Sequence, residues 1–288
     1  MVLGEKMSMN ELKSIDLASF TIISTGISVL YTLIFTLLIA VAIAISVPAA
    51  TTFAIYLIPT IVVGTLIFTI YNSFFEGFLY NVLGKKLNRI KIGLEGNEVS
   101  KISAAQTAIM ISIITTIQVI LIYLASILVF PLVLNTVIQT FAYAGQQMLA
   151  LTLYQFMIFI SQPQVIIAFF AATFVVTFVY VLISIVIYNF LASKGRRIVV
   201  NLSKEGELTA VDSIDVLKLA IVFTIIVGVL NLIYVIFSFI LFGGYPVVIL
   251  LSIISGFVNG FIEGALIAIF YNFLAPRLGK LKIELIEE

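Results

Sequence analysis

Three stretches of this chain carry no charge at all: between Asp16 and Glu76, between Lys101 and Lys194, and between Lys218 and Glu263. Helices at a soluble surface need a polar face, and runs of this length leave none. They are what bilayer-spanning helices require. Cutting the runs at proline and polar breaks gives six candidate spans: residues 17–47, 53–83, 102–130, 165–192, 215–242 and 246–274. Each holds about 25–30 residues, or roughly 40–45 Å of helix against a hydrocarbon core of about 30 Å. Tilt or protruding ends must absorb the excess. The first apolar run, Leu17 to Val47, is about twice the length of a signal-peptide core and reads as a helix that stays.

Composition agrees. The chain is 62% hydrophobic and 10% charged, where soluble domains carry about 25% charged residues. A net charge of +1 provides no basic field for nucleic acid. With no cysteine and no histidine, disulfides, thiolate or imidazole metal sites, haem ligation by either residue and histidine acid–base chemistry are excluded. No phosphate loop, nucleophile elbow, metalloprotease pattern or paired aspartates suited to intramembrane proteolysis are found. The expectation is a non-enzyme with no cofactor and no metal, whose first partner is the lipid bilayer.

Every lysine and arginine lies in one of four places: the N-terminus (Lys6, Lys13), the loop 84–101, the loop 193–218 and the tail (Arg277, Lys280, Lys282). Six spans put all four on one side. The positive-inside rule makes that side cytoplasmic, giving a multi-pass cell-membrane protein with both termini in the cytoplasm. Residues 131–162 are long enough to span, but a seventh span would carry the basic loop 193–218 across. Asn135, Gln139, Tyr143 and Gln146 form one uncharged polar stripe at helical spacing. This segment is therefore expected as surface helices outside the cytoplasm or a re-entrant pair broken near Gly145, with a true span as the third alternative. At the other end of the chain, Ser8-x-x-Glu11 fits a capping box for a short amphipathic turn.

The even spans end alike. YNVLGKKLNRIKIGL starts at Tyr80, YNFLASKGRRIVVNL at Tyr188 and YNFLAPRLGKLKIEL at Tyr271. The odd spans also begin alike, with SIDLASF at Ser14, SIDVLKL at Ser213 and the looser KISAAQT at Lys101. The first two units close in similar turns, EGNE at Glu95 and EGE at Glu205. This predicts an all-α polytopic membrane protein whose six transmembrane helices form three parallel repeats of a two-helix hairpin. The units are an N-terminal cytoplasmic segment 1–13, hairpins 14–96 and 101–206 (the latter with the insertion 131–162), and hairpin 213–288. Tyr80, Asn81, Tyr188, Asn189, Tyr271 and Asn272 are expected as interface anchors. Their rings would sit in the headgroup zone and their amides near frayed carbonyls of their own helix ends. Beyond each lies a two-residue alternation, at 90–94, 198–202 and 281–285, which predicts a short cytoplasmic strand. Such strands must pair with one another, with the chain leading into the next hairpin, or with a partner protein or second copy.

The Tyr-Asn-x-Leu-Ala ending followed by Gly-x-x-x-Ile-Glu-Leu resembles small archaeal membrane proteins of a domain-of-unknown-function family, in which this tail closes a single two-helix hairpin. Tyr271–Leu285 carries the resemblance best and Tyr80–Leu94 next. Tyr188–Leu202 departs, through Arg197 and Val199, in its Gly and its alternation. The resemblance implies fold and lineage and carries no mechanism.

Two spans hold an acid in one shared pattern, Asn-x-Phe-x-Glu-Gly: Asn72–Glu76 and Asn259–Glu263. Residues four apart share a helix face, so each Asn is the expected first partner of its Glu. Glu76 lies roughly 10 Å and Glu263 roughly 16 Å before the end of its span, and an acid near the bilayer centre costs about 2.5–3.5 kcal/mol on insertion scales. Counting back from its Tyr-Asn, the middle unit has Tyr180 or Ser184 instead. The sixth span adds small residues at spacing four, Ser252, Gly256, Gly260, Gly264 and Ala268, a stripe suited to close helix approach. Two functions follow. One is a structural or interaction subunit of a membrane assembly, in which the acids are packing glue. The other is a small channel or an ion- or proton-coupled transporter, with Glu76 and Glu263 in its path.

Overall fold

The computed structural model describes residues 8–127 and 129–287. Residues 1–7 of the expected N-terminal segment lie outside the described residues. The element order is β1 (Ser8–Ile15), α1 (Leu17–Ser46), a 3-10 turn (Pro48–Ala50), α2 (Thr51–Leu83), β2 (Lys91–Glu95), β3 (Glu98–Ile102), α3 (Ala104–Ser126), α4 (Val129–Tyr143), α5 (Gln147–Ile160), α6 (Pro163–Ser193), β4 (Ile198–Glu205), β5 (Leu208–Ile214), α7 (Val216–Phe242), α8 (Pro246–Leu278) and β6 (Lys282–Glu287). Of the described residues, 75% are helical. Six helices, α1, α2, α3, α6, α7 and α8, are long and apolar enough to cross a membrane.

Two compact units divide the chain. One holds residues 111–179 and the other the remainder. In the former, α4 and α5 pack on one another across a break at Gly145, whose φ of 77° is the left-handed geometry glycine tolerates. With 15 and 14 residues, each is about 22 Å long, short of a hydrocarbon core.

The other unit holds every described strand. They close into an antiparallel barrel in the order β1-β2-β3-β4-β5-β6, with β6 returning to β1. This corrects the expectation of three strands only. Residues 8–15 are a strand, not a capped helical turn, and β3 and β5 likewise precede α3 and α7. The alternating strands β2, β4 and β6 never pair with one another. Each lies between two of the strands that lead into helices. The order strand–helix–helix–strand thus occurs three times, with α4 and α5 added in the middle third. Two-residue turns join the thirds, at Gly96-Asn97 and Gly206-Glu207, where Glu95 pairs Glu98 and Glu205 pairs Leu208. Gly96 and Gly206 have φ of 57° and 69°; a hairpin turn that matches strand twist needs a positive φ at its first central residue.

The leading strands are polar because one of their faces meets solvent, and cross-strand ion pairs occupy it. Lys13 meets Glu284 at 2.6 Å, Lys280 meets Asp212 at 2.6 Å, and Lys282 meets Glu205 at 2.8 Å. Arg197, just before β4, joins Glu95 at the end of β2 and Glu98 at the start of β3. The opposite face is apolar. Val211, Leu202, Ile214 and Leu281 pack with Ile23, Tyr271 and Leu274, while Val99, Ile102 and Ile198 pack with Tyr188, Leu191 and Val222. These two clusters form an apolar layer between strands and helix ends. Burial of that layer, at about 25 cal/mol per Å², outweighs exposed ion pairs worth about 0–1 kcal/mol each. The pairs therefore serve chiefly to favour the observed register.

Lysine hydrogen bonds, from Lys282 to Glu205 and from Lys280 to Asp212, hold these carboxyls below the usual carboxylate range. Lys13, with Ser14, does the same for Glu284. Carboxyls depressed on folding stabilise the protein above their unfolded values, and that stabilisation is lost as pH falls through the folded values. The thermal unfolding midpoint, followed by circular dichroism in detergent, is expected to drop as pH falls below 4.5, the ordinary value for Glu205 and Glu284. Lys280→Met should flatten that acid limb.

Candidate functional site

Where each even helix reaches the barrel, its Tyr-Asn pair grips the strand that leads into the same hairpin. The Asn81 side chain accepts from the Ile15 N–H at 2.8 Å and donates to the Ile15 carbonyl at 2.8 Å. Asn189 does this to Ile102 at 2.9 and 2.8 Å, and Asn272 to Ile214 at 2.8 and 2.8 Å. A carboxamide has the same donor and acceptor as a peptide group. Each Asn therefore completes the hydrogen bonding of a residue at which a strand stops and a helix is about to start. The preceding tyrosine reaches three residues further back along the strand. Tyr80 donates to the Leu12 carbonyl at 2.6 Å, Tyr188 to that of Val99 and Tyr271 to that of Val211. The hydroxyls of Tyr188 and Tyr271 also accept from Ile198 and Leu281, at the trailing strand of the same hairpin.

These six residues are thus not headgroup anchors. The tyrosine rings are only 3%, 2% and 2% exposed, and the amides bind another segment rather than their own helix ends. The strand partners, Leu12, Ile15, Val99, Ile102, Val211 and Ile214, were missed from sequence. The signal was the Ser-Ile-Asp recurrence, where Ile is the residue gripped and Asp caps the helix. The Asp16 carboxylate accepts from Ser19 N–H and that of Asp215 from Lys218 N–H, both at 2.8 Å.

The small residues of α8 face α7. A Cβ added at Gly260 would lie 2.7 Å from the Phe223 carbonyl oxygen, and one at Gly264 would lie 2.9 Å from Ala220 Cα. Added at Gly256 it would run into Asn231, whose amide donates to the Ser252 carbonyl at 2.7 Å. Ala268 is fully buried. Asn231, a polar residue of α7 passed over in the sequence, therefore ties the two helices where the glycines let them touch.

The intramembrane polar residues are less tightly held. Asn72, Glu76 and Glu263 are half-buried and Asn259 is exposed. No hydrogen bond joins Asn259 to Glu263 among the described residues. Instead, Glu263 lies within electrostatic reach of Tyr31 on α1 and Tyr180 on α6. Tyr180 and Glu263 each stand eight residues before their Tyr-Asn pair, the position held by Asn72 in the first hairpin.

At the end of the barrel near both tight turns is a cavity of about 660 Å³, lined by Leu94, Leu202 and Leu285 with Asn10, Asn97, Lys204, Thr209 and Glu287 among others. The three leucines each lie fourteen residues after the tyrosine of their hairpin. No group of three or more acidic residues able to hold a metal occurs among the described residues. No family model, curated protein or solved structure matches the chain.

Asn272→Ala removes both bonds to Ile214 and is expected to destabilise by roughly 1–3 kcal/mol, since two partly buried backbone groups lose their partner. The check is the unfolding midpoint in detergent against Gly64→Ala, a change into open space that should be neutral or slightly stabilising.

Proposed function

We propose that this chain is a structural or interaction protein of the cell membrane: three copies of one two-helix hairpin fused in tandem, locked by a shared cytoplasmic barrel that presents a docking face. The hairpins would run from the strand before each odd helix to the strand after each even helix, about residues 8–95, 98–205 and 208–287. The resemblance to single-hairpin archaeal proteins supports this lineage, because three separate hairpins would supply the same six strands. Barrel and termini are assigned to the cytoplasm by the positive-inside rule.

The observation that carries this reading is the apolar layer under the barrel, built from Tyr188, Leu191 and Val222 at one place and Ile23, Tyr271 and Leu274 at another. An ion passing along the hairpins into the barrel would have to shed its water there, at a cost the layer offers nothing to offset. Strand addition by a partner is disfavoured, because a closed barrel has no free edge. A partner would instead meet the ion-paired outer surface or the polar cavity at the barrel mouth. The second reading, an ion- or proton-coupled channel or transporter, draws on one observation: Glu263 is half-buried and within electrostatic reach of Tyr31 and Tyr180, and an acid so placed often lies on an ion or proton path.

Proteoliposomes separate the two. Under imposed proton, sodium or potassium gradients, the wild type is expected to give no flux above protein-free vesicles, and Glu263→Gln should leave that result and the unfolding midpoint unchanged. Flux in the wild type that Glu263→Gln abolishes would overturn the structural reading.

A further inference from the structure

Most cations on the barrel are matched by an acid, as Lys13 is by Glu284 and Lys280 by Asp212. The cations where the even helices end are not. Lys85 and Lys86 follow α2, Lys194 and Arg196 follow α6, and Arg277 lies in the last turn of α8. All five are exposed, and none lies within ion-pair distance of a carboxylate among the described residues. The sequence supplies no acid nearby: residues 77–94, 99–204 and 264–283 contain neither Asp nor Glu. Three of these cations recur in register, since Lys86, Lys194 and Arg277 each stand six residues after the tyrosine of their clamp. Four residues before each, an apolar side chain is turned outwards: Val82, Phe190 and Phe273 are 38%, 62% and 48% exposed. The Lys194 ammonium lies 5.8 Å from the Phe190 ring centroid, and the Arg277 guanidinium carbon 3.9 Å from that of Phe273. Arg277 gives one donor to the Phe273 carbonyl, which leaves the rest of its five-donor fork open.

We propose that these three places form a collar that docks on anionic phospholipid headgroups, with one lipid phosphate against each of Lys86, Lys194 and Arg277. The proposal rests on the chain spanning a bilayer, not on its serving as a scaffold. Depth supports it. An outward-facing phenylalanine or valine near the end of a spanning helix is at home in hydrocarbon. The cation four residues on stands one turn further along, roughly 6 Å, and the headgroup layer beyond the hydrocarbon is about 5–8 Å thick. Charge supports it as well. A long cationic side chain lays its stem on apolar surface and sends its head to the polar layer, and lysines and arginines beside a spanning helix attract anionic lipid. Lys85 and Arg196 add a second unmatched charge at two of the three places. Phosphatidylcholine carries its own cation beside the phosphate and is the poorer match. The clamp tyrosines are buried in the barrel, so the headgroup contact falls to the sixth residue after each of them.

Native mass spectrometry of the detergent-solubilised full chain, titrated with phosphatidylglycerol or phosphatidylcholine, tests the collar. The wild type should retain phosphatidylglycerol, up to one lipid at each place, under activation that strips phosphatidylcholine. Lys86→Gln, Lys194→Gln and Arg277→Gln should each weaken phosphatidylglycerol binding at least twofold, and the triple variant should bind the two lipids alike. Lys204→Gln is the control. It removes a lysine that is equally exposed and equally unmatched among the described residues, but stands at the barrel mouth, and it should leave lipid binding unchanged. All four side chains are exposed, so the unfolding midpoints should stay at the wild-type value. Should the triple variant fail to fold, the single variants against Lys204→Gln decide the matter. Equal retention of both lipids by the wild type would overturn the proposal. So would losses of the same size from Lys204→Gln and the collar variants, because attraction would then follow net charge alone.

Discussion

A peptide group at the edge of a bilayer has few places to turn. It has left the strand that paired it and has not yet joined the helix that will, and the apolar layer around it excludes water. In this chain an asparagine side chain fills that gap three times, offering Ile15, Ile102 and Ile214 the donor and acceptor a neighbouring peptide would have supplied. Much else follows from that pairing. The Asn sits on the helix that returns to the barrel, so each clamp ties the end of a hairpin to its beginning. The tyrosine one residue earlier reaches the same strand three residues away, which fixes its direction as well as its position. Strands held at both ends of a hairpin lie side by side, and three such pairs joined by two tight turns have one remaining partner each, β1 for β6.

Closure then settles two difficulties at once. Strands beside a membrane would otherwise present open edges to any other chain, and lone two-stranded ribbons are marginal. Six short strands in a ring have neither weakness. The ring's apolar side is covered by the same tyrosines and leucines that end the helices, so clamp and core are one structure. The ion pairs outside, Lys13–Glu284 and Lys280–Asp212 among them, weigh less and act mainly on register.

What could be read from sequence divides along physical lines. The helices were legible because lipid demands long uncharged runs, and α1, α2, α6, α7 and α8 begin and end within a few residues of the spans drawn from hydropathy. β2, β4 and β6 were legible because both faces of each strand have different neighbours, which leaves a period of two. β1, β3 and β5 were not. Their apolar residues, Leu12 and Ile15, Val99 and Ile102, Val211 and Ile214, stand three apart rather than two, and in β1 the Ser8-x-x-Glu11 spacing imitates a helix cap. The Tyr-Asn recurrence was plain, but its meaning was hidden, because Asn81 finds its partner 66 residues away and Asn189 finds its partner 87 away. The Asn259–Glu263 pairing failed for a different reason. Spacing four places both residues on one helix surface, yet α8 gives its glycines to α7, leaves Asn259 exposed, and no hydrogen bond joins Asn259 to Glu263 among the described residues.

The account stands on the barrel being closed within a single chain, between its first and last strands. The chain has no cysteine, so introduced thiols report without background. Glu11 and Ile286 are paired across β1 and β6, and directly paired antiparallel residues lie at Cα separations of about 4.5–5.5 Å, within disulfide reach. A Glu11→Cys/Ile286→Cys variant, oxidised in membranes and run on a non-reducing gel, should give a monomer-sized, intramolecularly bridged product that migrates differently after reduction. Disulfide-linked dimers, or no bridge at all while Glu205→Cys/Leu208→Cys across the β4–β5 turn forms one, would contradict closure.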